Sequence, residues 1–184
     1  MKTKTSRTRR TFYHEWDEID YLYMKILHWF YDKGNRRKAL PFCARLEALL
    51  EKTPEAHEAI LGEECWSLIC EVRGDLAGAI AYRERQIELI KHLHRISVNT
   101  PGWDIVLRNY DYSDLSDCLD LLAILYHDAG DIPKAIRVLK ESRRLCERHG
   151  IAFDGEDLLR DYLAEVDGAF DQRGNSRPAQ RGER

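Results

Sequence analysis

Three aspartates with helical spacing come closest to a chemical site in this sequence. Asp114, Asp117 and Asp120 recur every three residues, which places their carboxylates along one face of a helix. Grouped carboxylates can bind a hard metal ion or a basic peptide. Acids near the start of a helix also favour the positive end of its dipole and are often simply solvated. The spacing therefore leaves a binding site and a solvated face as open alternatives.

The histidines give weaker evidence of a chemical site than the aspartates do. His92 and His94 are two residues apart, so on a helix they point to different faces and do not predict a shared metal ion. His14-Glu15 lacks the second histidine of a zinc protease motif. The sequence contains no glycine-rich phosphate loop, nucleophile elbow or paired catalytic carboxylates. We therefore predict neither an enzyme nor a cofactor or metal site.

Cysteines and hydropathy indicate the compartment. The five cysteines form no C-x-x-C pair, and each stands where a small apolar residue suits a helix. They are predicted to be buried free thiols in a reducing compartment: Cys43, Cys65, Cys70, Cys118 and Cys146. No apolar run approaches the roughly 18 residues that a membrane span needs, and no apolar stretch follows the basic start. A cytoplasmic protein that does not enter the membrane is expected.

Charge is distributed unevenly along the chain. The net charge of −3 includes +5 from residues 1–10 and +2 from residues 171–184, which leaves −10 for the body. Such biased ends are typical of disordered segments. We expect a basic disordered arm over residues 1–12, a helical body over 13–170 and a disordered tail over 171–184.

An internal repeat organises the body. The pattern of glycine, then Asn or Asp, three variable residues, alanine and Leu or Ile occurs three times: Gly34 to Leu40, Gly74 to Ile80 and Gly130 to Ile136. Apolar residues flank each copy at the three-and-four spacing of a helix. A glycine at this point can end one helix in a left-handed conformation, while Asn35 caps the next. Each copy thus predicts two helices joined by a glycine corner.

The predicted helix pairs cover residues 17–51, 54–96 and 113–149, and residues 154–170 form a last helix over the exposed end. Pro41 should remove a hydrogen bond and kink its helix. Residues 97–112 break the pattern and predict a loop. Ser113 or Asp114 is expected to cap the helix after that loop.

These features resemble the tetratricopeptide repeat, in its extended-helix variety. The third copy carries the resemblance best, with Leu122-Ala123, Tyr126, Gly130-Asp131, Ala135-Ile136 and Leu139 in the order of that family. The resemblance implies an all-α fold: a short right-handed α-solenoid of three helix pairs plus a C-terminal capping helix. It also implies a binding scaffold in which the first helix of each pair lines a concave groove.

Carried onto this sequence, the resemblance gives a groove that is aromatic at one end and acidic at the other. Its positions are Tyr21, Met24, His28, Tyr31, Leu61, Glu64, Leu68, Glu71, Asp117, Asp120, Ile124, His127 and Asp128. An acidic concavity attracts cations, so the expected partner is a protein or peptide with a basic or amphipathic helical segment. The expected role is that of a non-enzymatic adaptor.

Two alternatives use the basic N-terminal arm. Aromatic rings follow it from Phe12 to Trp16, and bases of a nucleic acid could stack on them. The acidic body would repel phosphate, so a nucleic-acid-associated regulator is the less favoured function. In the other alternative the arm of one copy enters the acidic groove of another and forms a homo-oligomer.

Overall fold

The computed structural model describes residues 15–52, 60–97 and 110–174, and this part of the chain contains only helices and turns. The predicted all-α class is confirmed. Within these described residues there are seven α-helices: α1 (Glu15–Leu27), α2 (Arg36–Leu50), α3 (Ile60–Arg73), α4 (Leu76–Ser97), α5 (Tyr112–Asp128), α6 (Ile132–His149) and α7 (Glu156–Gly174). The basic arm over residues 1–12 lies outside the described residues, as does most of the predicted loop.

The helices form two compact units, residues 1–75 and residues 76–184. In the first unit α2 packs against both α1 and α3. In the second, α5 and α6 form a tightly packed antiparallel pair, α4 packs on α5, and α7 packs on α6. Helices adjacent in sequence are thus neighbours in each unit, as short connections favour.

Glycine corners join the helices as the repeat predicts. Gly34, Gly74 and Gly130 have φ values of 56°, 81° and 80°, in the left-handed region that side chains disfavour. At the third corner Asp131 N donates to Tyr126 O at 2.8 Å, which closes the end of α5. The Asp131 side chain then accepts from Lys134 N at 3.2 Å and caps α6. Asn35 caps α2 in the same way, by accepting from Lys38 N at 3.1 Å.

The start of α5 differs from the prediction. Its cap is Asp111, not Ser113 or Asp114. The Asp111 carboxylate accepts from Ser113 N at 2.7 Å, and Asp111 N donates to the Asp114 carboxylate at 2.7 Å. The Asp111 carboxylate also accepts from Asp114 N at 3.2 Å, which completes a reciprocal capping box and satisfies three backbone N–H groups in all.

Two further local features concern a π-helical turn and a proline inside a helix. Residues His28–Asp32 continue α1 as a π-helical turn, with Lys33 N donating to His28 O at 3.1 Å. The wider turn allows Asn35 N to reach Trp29 O at 2.7 Å and close the corner. Pro41 does not break α2, which continues through it to Leu50. Pro41 is solvent-exposed, so the carbonyl that lacks its N–H partner has access to water.

Each unit has an apolar core. In the first unit the core unites three helices through Ile19, Leu22, Ile26, Cys43, Leu46, Leu50, Ile69 and Val72, all with no exposed surface. In the second it includes Leu119, Ala123, Leu139 and Leu159. All five cysteines are free thiols, and only Cys70 is partly exposed. Burial raises the pKa of Cys43 to about 11, which keeps it protonated.

The last helix is longer than predicted, because α7 begins at Glu156 and ends at Gly174 rather than at residue 170. The remaining residues of the predicted tail lie outside the described part of the chain. No helix within the described ranges has the length and apolarity to cross a bilayer.

Candidate functional site

The predicted aromatic end of the groove lies on α1 and its π-helical turn. Met24 and Tyr31 are 55% and 49% exposed, unusually large values for apolar side chains of this size. Tyr21 is half-buried against the core, and Lys25 Nζ lies 5.5 Å from its ring centre. His28 Nδ1 lies 3.1 Å from the Asp32 carboxylate. This part of the first unit therefore presents apolar and charged groups side by side.

Two tyrosines connect this helix to α3. The Tyr31 hydroxyl donates to both carboxylate oxygens of Glu71 at 2.7 Å, and the Tyr23 hydroxyl donates to Glu64. The predicted groove residues Tyr31, Glu64 and Glu71 thus lie on one side of α1 and α3. Tyr23 was not predicted, although its place one residue before Met24 could have drawn attention to it.

Two predicted apolar positions on α3 belong to the protein interior. Leu68 is 2% exposed and lies in the core cluster of the first unit. Leu68 therefore offers no surface to a ligand, and its assignment to the groove was wrong. Leu61 is half-buried and packs against the same cluster. The helix spacing alone could not separate the two faces of α3, because apolar residues occur on both.

In the second unit, Asp117 and Asp120 lie on α5 close to Asp154 of the α6–α7 loop. Partial burial raises the pKa of Asp120 to about 6; Ser142 opposes this shift, and Asp117 and Asp154 add to it. Burial, followed by Asp114 and Asp154, also raises the pKa of Asp117. The carboxylates are therefore close enough to repel one another.

Among the described residues, no group of three or more His, Cys, Asp or Glu side chains is arranged to hold a metal ion. The Oδ1 atom of Asp120 is buried and has no hydrogen-bond partner among the described residues.

The end of α5 contacts the last helix. The His127 ring stacks on Tyr162 of α7, with 4.2 Å between ring centres, and its Nε2 lies 3.0 Å from the Glu165 carboxylate. Ile124 is half-buried, whereas Asp128 is exposed. Of the predicted positions on α5, His127 is therefore engaged by α7, and Asp117 and Asp128 remain at the surface.

A charge pattern that the sequence analysis missed appears once the helix bounds are known. Every odd-numbered helix is acidic. Helix α1 has four acids and one lysine, and α3 has three acids and one arginine. Helix α5 has four aspartates and no Lys or Arg, and α7 has six acids and two arginines. Every even-numbered helix is basic: α2 and α4 have four cations each, against one and two acids, and α6 has six cations against two acids. Counting charges over each predicted helix would have found this alternation.

The basic helices of the second unit border a cavity of about 560 Å³, which we call the basic cavity. Five cations line it: Lys91 and Arg95 from α4, and Arg137, Arg144 and Arg148 from α6. Glu141 is its one acidic lining residue among those described, and α5 contributes an apolar wall. The sequence could have indicated part of the basic cavity, because residues 137, 144 and 148 fall on one face of a helix.

The described part of the chain therefore defines an all-α protein of two helical units, with an acidic and apolar surface on the first and a basic cavity in the second. Comparison with models of protein families, with curated proteins and with solved structures gives no match.

Proposed function

We propose that this chain is a non-enzymatic adaptor of the tetratricopeptide type, whose first unit binds a basic amphipathic helix of a partner protein. The observation that carries the proposal is the exposure of Met24 and Tyr31, together with the hydrogen bond of Tyr31 to the Glu71 carboxylate. The three glycine corners and the ordered packing of neighbouring helices support the repeat assignment.

The apolar part of the surface suits a helical ligand. Met24 on α1 and Tyr31 on the π-helical turn that continues it are seven residues apart in sequence, and both side chains are exposed. A partner helix presents its own apolar anchors at the same interval. Exposed apolar side chains of this size are stabilised by being covered, at about 25 cal/mol for each Å² removed from water.

The charge of the surface favours a basic ligand over an acidic one. Helix α1 has a net charge of −3, from four acids and one lysine, and α3 adds Glu64 and Glu71 on the same side. Complementary charge accelerates association and excludes partners of like charge. A segment with leucines on one face and lysines on the other therefore meets both requirements.

Fluorescence anisotropy with two synthetic helical peptides tests this function. One peptide carries Leu and Lys faces, and the second has glutamates in place of the lysines. We expect the full-length protein to bind the first peptide, and Met24→Ala to weaken that binding about 5-fold or more, as for a central interface residue.

The matched control is Leu40→Ala, which truncates another exposed apolar residue of the first unit, 40% exposed and located on α2. It should change the affinity less than about 2-fold. Equal binding of the two peptides, or equal losses in the two variants, would reject the proposed surface.

A further inference from the structure

We propose that the basic cavity of the second unit binds a small organic phosphate with an aromatic or apolar body. The proposal is independent of the peptide surface on the first unit. It rests on three features that coincide in the basic cavity: unneutralised arginines, a fixed aromatic wall and a volume suited to a small molecule.

The first feature is positive charge without a partner. Lys91 Nζ lies 3.0 Å from the Glu141 carboxylate and 3.4 Å from that of Glu88, so the one acid lining the cavity is paired with Lys91. Burial opposes the charge, yet the hydrogen bond and attraction of Glu141 raise the pKa of Lys91. Within the described residues, no ion pair involves Arg95, Arg144 or Arg148.

Arginine side chains are well suited to binding phosphate groups. A guanidinium group is always charged and presents N–H donors in a planar fork that matches two phosphate oxygens. Arg144 and Arg148 are four residues apart on α6, and Arg95 faces the same space from α4. Three such groups around one cavity can neutralise a ligand with more than one negative charge.

The second feature is an ordered aromatic and apolar wall. The Tyr112 ring stacks on His149 with centres 3.4 Å apart and planes 15° apart, and it meets the edge of His94 at 4.4 Å. His94 Nε2 lies 2.6 Å from Tyr110 O, which fixes that ring in turn. With Leu115 and Leu119 beside them, these rings form a preorganised surface for the body of a ligand.

The third feature is size. About 560 Å³ lies within the range of roughly 300 to 1,000 Å³ that is typical of small-molecule sites. An inorganic anion would leave the apolar wall uncovered, whereas a partner helix needs a long open groove. A phosphorylated molecule with a ring satisfies the arginines and the wall together.

Isothermal titration calorimetry on the full chain tests the site with ATP, inorganic triphosphate and adenosine as probes. We expect ATP to bind more tightly than either triphosphate or adenosine, because only ATP has both parts. The variant Arg144→Gln/Arg148→Gln should weaken ATP binding about 10-fold or more, since each arginine provides charge-assisted hydrogen bonds.

The matched control is Lys140→Gln/Arg143→Gln, which removes two charges from the same helix at residues that do not line the cavity. It should change ATP affinity less than about 3-fold. If the first double variant does not fold, Arg95→Gln on α4 tests the same cavity and should also weaken ATP binding.

Three results would overturn the inference: no measurable binding of ATP, an equal loss of affinity in the control, or an ATP affinity no higher than that of triphosphate. Single-stranded RNA that binds through these arginines while ATP does not would also overturn it. Failure of these titrations leaves the peptide experiment on the first unit unaffected, so the two proposals can fail separately.

Discussion

The Tyr31 hydroxyl donates to both carboxylate oxygens of Glu71, each at 2.7 Å, and links the π-helical turn after α1 to α3 across 40 residues of sequence. Both residues belong to the surface proposed to bind a basic helix. The interaction therefore orders an exposed aromatic ring that would otherwise lose conformational freedom on binding.

A double-mutant cycle measures this link. Tyr31→Phe and Glu71→Ala should each lower the free energy of unfolding, with a coupling of about 0.5 kcal/mol, because the pair is half-exposed and partly screened by solvent. Urea unfolding of the two single variants and the double variant gives the coupling. Additive effects would show that the hydrogen bond contributes nothing to stability.

Gly130 should be intolerant of a side chain for conformational reasons alone. Its φ is 80°, and a Cβ there would touch no atom within 4 Å, so Gly130→Ala introduces backbone strain without a clash. We expect a loss of about 1 to 2 kcal/mol in thermal or urea unfolding. Gly168→Ala is the control, because that glycine lies inside α7 with open space around it. It should stabilise the protein by roughly 0.5 to 1 kcal/mol, and a loss at both sites would contradict the role of the corner.

The cap of α5 can be assigned by two alanine substitutions. Asp111→Ala removes the acceptor for Ser113 N and Asp114 N and should cost about 1 kcal/mol. Ser113→Ala removes a hydroxyl from an exposed residue and should change stability by less than about 0.5 kcal/mol. Circular dichroism during urea unfolding compares the two, and the reverse order would restore Ser113 as the cap.

Asp120 should make stability depend on pH in an unusual direction. Its pKa in the folded protein is raised from 3.8 to about 6, so between these values the folded state binds more protons than the unfolded state. The contribution of Asp120 to the free energy of unfolding is therefore most favourable below about pH 4, and it falls as the pH rises through about 6. Asp120→Asn should therefore raise the melting temperature at pH 7.5 relative to the wild type and have a smaller effect at pH 4.

Asp131 provides a control of opposite sign. The hydrogen bond from Lys134 lowers the pKa of Asp131. The ionised Asp131 therefore stabilises the folded state at neutral pH, and this stabilisation is lost as the pH falls through the lowered pKa. Asp131→Asn should destabilise the protein more at pH 7.5 than at pH 3. Melting curves that shift equally at both pH values for both variants would exclude these assignments.

The sequence predicted most of the fold because its signals are local. The corners at Gly34, Gly74 and Gly130 and the apolar spacing around them determine helix ends without knowledge of distant contacts. The π-helical turn at His28–Asp32 could not be predicted, because it depends on how Asn35 N reaches Trp29 O. The cap at Asp111 was missed because this aspartate belongs to residues 97–112, where the helical pattern of the sequence breaks, and was assigned to the predicted loop.

The candidate sites were less predictable because they depend on which helices become neighbours. The resemblance named Met24 and Tyr31 as groove positions, and both are exposed, but it also named Leu68, which is buried. The basic cavity requires Arg95 and Arg148 to line the same space, although 53 residues separate them in sequence. A charge count for each helix would have shown that α4 and α6 are basic, but only the fold brings them to one cavity.

The alternation of acidic and basic helices affects how the protein binds to ion-exchange resins, in a way that its net charge does not indicate. A sequence pI of about 6.2 and a net charge of −3 predict retention on an anion exchanger at neutral pH. Yet α4 and α6 offer a concentrated positive surface, while α5 and α7 offer a negative one. Resins of either sign can therefore hold the same molecule through different helices, and its chromatography reports local charge rather than the total.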